Sequence, residues 1–216
     1  MGHLSNAVRK GWDLSYESRS EWSPSSLAGR LVELSGAEDS AALTCAFGLV
    51  RQAQLTGEPV AWIGTDGEGF YPPDVAAGGV DLESLAVVRV RDPVTRGRNG
   101  RDGKNIARAA DQLTRSGAFG LLVLDIGDRH LPMHAFPRLL GLAQKHRTAI
   151  VFLTDKQERE SSLGSLITLR GHVCRRAQRK HHGKDEFVCA LTAVKDKRRA
   201  PGWKHEEICG GPDGLH

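Results

Sequence analysis

The chain has 216 residues, of which 39% are hydrophobic and 26% charged, enough for one sizeable core and short for two large domains. No apolar run approaches the roughly 20 residues that cross a bilayer, and residues 1–21 carry charges without the apolar centre of a secretory signal. A cytoplasmic protein without a membrane partner is the expectation. The formal net charge of +4 hides an asymmetry, because residues 170–204 hold eleven Lys and Arg against three Asp and Glu, so any surface for an acidic partner is expected to be C-terminal.

Residues 1–28 are polar, with Trp12, Trp22 and a Ser-Pro-Ser-Ser stretch at Ser23 to Ser26. They read as an N-terminal arm that is loose or docks through its tryptophans. A core domain is expected over 29–209 and a short tail over 210–216. The core opens with a short apolar strand, Arg30 to Ser35, a turn at Gly36 and a helix from about Asp39 to Gln54, with Leu43, Phe47 and Val50 at i, i+4 and i+7. Pro59 to Ile63 predicts a strand, Gly64 to Asp74 a loop, and Leu85 to Val90 a second buried strand.

From Arg91 to Lys104 the chain has no hydrophobic periodicity, three glycines and several cations, which reads as a mobile basic loop. A helix over Asn105 to Arg115 precedes the apolar run Phe119 to Leu124, which ends in Asp125; a helix over Met133 to Lys145 precedes Ala149 to Leu153. Apolar strands alternating with amphipathic helices predict an α/β fold with a mostly parallel sheet covered on both faces. Two β-rich segments, Leu166 to Arg176 and Glu186 to Val194, predict an antiparallel hairpin at the sheet edge.

Cys45, Cys174, Cys189 and Cys209 stand singly, without a C-x-x-C pair or zinc-spaced histidines, and read as buried free thiols. His130 and His134 have i, i+4 spacing, but Pro132 lies between them and no third ligand is evident. They read as surface histidines, and no metal site is expected.

In an open parallel sheet, ligands sit at the carboxyl ends of the strands. After the first strand comes Gly36-Ala-Glu-Asp-Ser40-Ala41-Ala42-Leu43-Thr44, the context of a phosphate-binding loop. Such a loop needs a second glycine, a lysine for the phosphates and a hydroxyl for magnesium, at positions held here by Ala41, Ala42 and Leu43. Glu38 and Asp39 add negative charge where phosphate would lie. ATP hydrolysis is therefore not expected, nor is bound ATP or magnesium. Asp125 stands where a metal-holding strand-end aspartate would be, and a plain strand-end cap fits it equally. Asp66 and Glu68 read as a solvated turn.

The run Gly29-Arg-Leu-Val-Glu-Leu-Ser-Gly-Ala-Glu-Asp-Ser40 resembles the strand and phosphate-binding loop of RecA recombinases with the loop's chemistry erased. Gly79 to Leu85, Leu113 to Asp125 and Ala193 to Pro201 resemble later RecA segments in the same order. The resemblance implies a RecA-like fold, and it implies that Lys195 and Lys197, with Arg198 and Arg199 beside them, reach toward a neighbouring protomer's nucleotide. Beside the resemblance to RecA, no long N-terminal polymerisation region and no separate C-terminal domain are expected, and Gln157 to Gly164, where the second DNA-binding loop would be, is short. A short RecA-like chain with a ruined loop resembles the ImuA family of bacterial mutagenesis cassettes. That family implies damage-induced translesion synthesis beside ImuB, an inactive Y-family polymerase homologue, with RecA as a further partner.

The first functional reading is thus a non-enzymatic adaptor contacting RecA and ImuB. The SulA-like division inhibitors share the fold kinship and are a rival. A third reading is weak, sequence-blind DNA binding through Arg96, Arg98, Arg101 and Lys104 and the basic hairpin, although no basic-aromatic interleaving marks a stacking platform for single strands.

Overall fold

The computed structural model describes residues 21–36, 41–65, 70–91, 102–177 and 186–210. Its elements are α1 (Pro24–Leu27), β1 (Leu31–Ser35), α2 (Ala42–Leu55), β2 (Val60–Thr65), α3 (Pro72–Ala77), β3 (Leu85–Val90) and α4 (Lys104–Ser116), followed by β4 (Leu121–Gly127), α5 (Ala135–His146), β5 (Ala149–Thr154), β6 (Leu169–Ala177), β7 (Glu186–Asp196) and β8 (Lys204–Gly210). The strands form one sheet in the order β3-β2-β4-β5-β1-β6-β7-β8. The first six in that order are mutually parallel, and β7 and β8 close the sheet antiparallel. The fold is α/β with a mostly parallel sheet and a C-terminal antiparallel extension, as the strand and helix pattern predicts.

The pleat divides the strands between two cores. On one face, Val32, Leu34, Val123 and Val151 pack with Cys45, Leu49, Val50 and Ala53 of α2, and with Trp22 and Leu27. On the other, Leu31, Leu122, Leu124, Ile150 and Phe152 pack with Ile106 and Ala110 of α4 and Phe136 and Leu139 of α5. The helix α4 ends at Gly117, whose φ of 68° is left-handed. A Cβ there would lie 2.6 Å from His146 Nδ1 of α5, so only glycine fits both the backbone and the space.

Three local expectations differ. The helix α2 begins at Ala42, and its buried stripe is Ala42, Cys45, Ala46, Leu49, Val50 and Ala53; Leu43, expected on that stripe, is 36% exposed. The strand β3 lies at the sheet edge and is half-exposed along its length, because only one flank has a neighbouring strand. The expected hairpin gains a third strand, β8, paired along β7. Of the two N-terminal tryptophans, Trp22 is fully buried beside α2 and Trp12 lies outside the described residues. Ser23 caps the short α1 with a reciprocal Ser23–Ser26 capping box and Pro24 in the first turn.

No helix among the described residues is long and apolar enough to cross a membrane.

Candidate functional site at the carboxyl edge of the sheet

The first strand ends at Ser35, and the Gly36 amide donates to the Thr154 carbonyl of β5 at 3.2 Å. The chain is thus held in the sheet one residue beyond the strand. Ser40, Glu38 and Asp39 lie outside the described residues. Ala41 is the N-cap of α2 and carries no side-chain cap. Ala41 and Ala42 are buried in the α2-side core at 3% and 8% exposure, so the position a phosphate-binding lysine would occupy is a packed methyl. Leu43 faces outward and Thr44 is half-buried. The first turn of α2 therefore offers no side-chain cation and no hydroxyl at the lysine and magnesium positions.

Across the sheet, Asp125 of β4 is nearly buried, and strand alternation puts it on the same face as Val123 and α2. Gly64 of β2 lies beside it, where an added Cβ would sit 3.5 Å from the Asp125 Cβ and 3.6 Å from the Trp62 indole nitrogen. Trp62 stacks on Phe47 of α2 at 4.5 Å, with Phe70 edge-on. The buried Arg129 guanidinium donates to Thr65 Oγ1 at the end of β2, 2.8 Å, and to the Ile126 carbonyl, 3.3 Å. Gly127 takes a φ of 54°, with the Asp155 carboxylate 3.1 Å from where its Cβ would be. Carboxylates at Asp125 and Asp155 and a guanidinium already tied to the protein thus line the ends of β2, β4 and β5. Asp66 and Glu68 lie outside the described residues.

A second cluster occupies the opposite face. Glu33, in the middle of β1, is fully buried. Its carboxylate accepts from Ser162 Oγ at 2.7 Å and from the Leu163 amide at 2.9 Å, with Thr154 Oγ1 at 3.4 Å. Arg170 stands opposite it in the β1–β6 register, with Nε 3.7 Å from Glu33 Oε1. The Arg170 guanidinium also donates to Ser35 Oγ, 3.2 Å, to the Gln157 carbonyl, 2.7 Å, and to the Glu160 carbonyl. Burying two opposite charges is tolerable only when their remaining hydrogen-bonding capacity is met, and here the loop after β5 meets it. The stretch Gln157 to Gly164 is clamped by these contacts at its beginning, middle and end.

Two of the four cations expected at a partner interface belong to the same clamp. Lys195 Nζ donates to the Gly164 carbonyl at 3.1 Å, and Lys197 Nζ to the Ser165 carbonyl. Burial and the nearby Lys197 charge bring the Lys195 ammonium below its ordinary pKa. Arg199 pairs with Glu21, and Arg198 is exposed, its amide donating to Asp196 Oδ1 at 2.9 Å. Asp196 is the anchor of this hairpin base. It pairs with the buried Arg30 at 2.6 Å and accepts from the Trp203 indole at 3.1 Å. Burial pushes the Asp196 carboxyl up, but the Arg198 amide, the Trp203 indole and Arg30 together hold it below the usual carboxylate range.

Of the proposed DNA contacts, Arg96, Arg98 and Arg101 lie outside the described residues. Lys104 is exposed at the start of α4 and pairs with Asp102 at 2.9 Å. The structure thus brings Lys195 and Lys197 to the loop after β5 and places the α2 turn and Asp125 on the other face. Glu33 and Arg170 escaped the sequence reading, although Glu33 is a lone charge inside an apolar strand, a pattern that calls for a buried partner; Arg170 shares its strand with Arg175 and Arg176 and carries no such signal.

No family model matches the chain. Among curated proteins it is similar to Protein RecA of Nocardioides, 30% identical over 152 residues, covering 61% of this chain and 40% of that protein. It is 33% identical over 139 residues to Protein RecA of Corynebacterium efficiens, covering 57% of this chain and 32% of that protein. With Protein RecA of Fusobacterium nucleatum the identity is 28% over 152 residues, 61% of this chain and 37% of that protein. The chain thus spans about two fifths or less of the length of these relatives and carries a RecA-like core.

Proposed function

We propose that this chain is a RecA-like accessory protein that acts by docking rather than by hydrolysing ATP. In this reading it serves damage-induced mutagenesis of the ImuA type, contacting RecA and an ImuB-type inactive polymerase homologue. The observation that carries it is the first turn of α2, where Ala41 and Ala42 are packed into the core and Leu43 replaces the metal-binding hydroxyl. A phosphate-binding turn depends on a lysine charge and on backbone amides left open to the ligand. Here the lysine position is apolar and packed into the core.

The clamp on the other face supports docking through a rigid surface. With its carbonyls held by Arg170, Lys195 and Lys197, the loop after β5 leaves Glu158, Arg159 and Glu160 exposed, the Glu160 carboxylate accepting from the Gln157 amide at 2.6 Å. Their charges leave the segment net negative, which favours a protein partner over a phosphate backbone. Lys197, whose ammonium holds the Ser165 carbonyl just past this loop, is exposed, as are Arg198 and Arg199 next to it in the chain. In this reading they supply the surface's cationic rim, where charge governs encounter more than final affinity.

The test pairs two measurements on the purified chain: binding of a fluorescent ATP analogue with magnesium, and phosphate release, each beside RecA as positive control. No saturable binding and no release are expected. Stoichiometric binding with turnover that Asp125→Asn abolishes would overturn the reading.

A further inference from the structure

Three of the four cysteines meet at one place, on the α2-side face of β7 and β8. Cys189 and Cys209 lie on these neighbouring strands, both buried, with their sulfurs 3.3 Å apart. Cys45, on α2, is buried and within hydrogen-bonding reach of Cys189. In the β7–β8 register Cys189 is opposite Glu207 and Cys209 is opposite Phe187, so the two thiols are diagonal neighbours on one face. Forming a bond needs the sulfurs to close from 3.3 Å to about 2.0 Å. The strand that must move is β8, which stands at the end of the sheet order and pairs with β7 alone.

We infer that Cys189 and Cys209 are a redox modification site, forming a reversible disulfide when the protein meets a peroxide. The Cys189 sulfur attacks the peroxide oxygen, giving a sulfenic acid and one water. The Cys209 sulfur then displaces hydroxide from that sulfenic acid, the S–S bond forms, and a second water leaves. Two electrons pass from the two sulfurs to one hydrogen peroxide, and the two thiol protons end in water.

The resting pair is protected. Contact with Cys209 favours the Cys189 thiolate, but the Cys45 contact and burial outweigh it and push Cys189 up to about 12. The Cys189 contact and burial push Cys209 up as well. Since the thiolate is the reactive form, oxidation proceeds through opening of the edge strand β8. The bond once made joins residues 20 apart and fixes β8 against β7, whose far end carries Lys195. This inference is independent of the docking function.

The experiment uses the full chain. It is treated with hydrogen peroxide, alkylated in denaturant and digested with trypsin, which cuts at Lys195 and Lys204 and so separates the two cysteines. Mass spectrometry should find the Cys189 and Cys209 peptides joined and released by dithiothreitol, with Cys45 and Cys174 alkylated. The oxidised protein should melt about 5 °C or more above the reduced one. Cys174→Ser should leave the joined peptide unchanged, and Cys209→Ser should remove it. Four alkylated cysteines after peroxide, a bridge through Cys45 instead, or irreversible oxidation at Cys189 without a bridge would each overturn the assignment. Because the primary readout is the peptide map of the unsubstituted protein, a misfolded variant cannot produce the result.

Discussion

Replacing Asp196 with alanine isolates the anchor of the hairpin base. The Asp196 side chain is 1% exposed and its partner Arg30 is 5% exposed, with 2.6 Å between them. Removing the carboxylate leaves a buried guanidinium with only its contacts to Thr168 Oγ1 and the Thr168 carbonyl, and it strands the Trp203 indole and the Arg198 amide. Breaking such a pair from one side costs about 3–5 kcal/mol, so a fall in melting temperature of about 10 °C is expected for a chain of this size. Urea unfolding followed by circular dichroism gives the free energy. Asp196→Asn should lose nearly as much, since it keeps the shape and discards the charge. The double variant Arg30→Met with Asp196→Leu should be more stable than Asp196→Ala alone, because no charge is then left buried without a partner. A loss below about 1 kcal/mol for Asp196→Ala would mean that the pair contributes no more than an exposed one and is not the anchor of the hairpin base.

Other predictions follow from the same contacts. Glu33→Leu leaves Ser162 and the Leu163 amide without their acceptor, so it should cost about 2–4 kcal/mol and make the chain cleave faster at Lys156 and Arg159 under limited trypsin. Equal cleavage rates would show that Glu33 does not hold the loop. Ala42→Lys, which restores the missing lysine, forces a cation into a packed site and should destabilise the fold by about 1–3 kcal/mol; an unchanged urea midpoint would mean that the turn is open. Burial lowers the His172 pKa, so the folded state holds its imidazole neutral where the unfolded chain takes up a proton. Stability from this residue is therefore full above about 6.5, the unfolded value, and is lost as pH falls toward the depressed folded value. A pH series on His172→Gln should show a shallower decline in that window.

Much of the sheet was legible because β5 and the run leading to Asp125 in β4 are apolar and the neighbouring helices have clear periodicity. The strand β8 was hidden because its inward positions, His205, Glu207 and Cys209, are no more apolar than its outward ones, Lys204, Glu206 and Ile208. Glu207 faces inward beside Gly48 of α2, whose missing Cβ position lies 3.0 Å from the carboxylate. Ser23-Pro24-Ser25-Ser26 lies in an arm that read as loose or docked through its tryptophans; its spacing is that of a helix start, and which alternative holds for Trp22 depends on contacts far along the sequence. The degenerate turn was visible from residue types alone. The part Lys195 and Lys197 play within the chain was not, because it depends on where the loop after β5 places its carbonyls.

Direct binding to RecA from the same bacterium tests the proposed docking function. RecA would be assembled on single-stranded DNA with a slowly hydrolysed ATP analogue, and compared with RecA lacking nucleotide. Saturable binding is predicted, weakened several-fold when Lys197, Arg198 and Arg199 are replaced by alanine. No binding in either condition would contradict the account and leave the RecA likeness as a matter of fold.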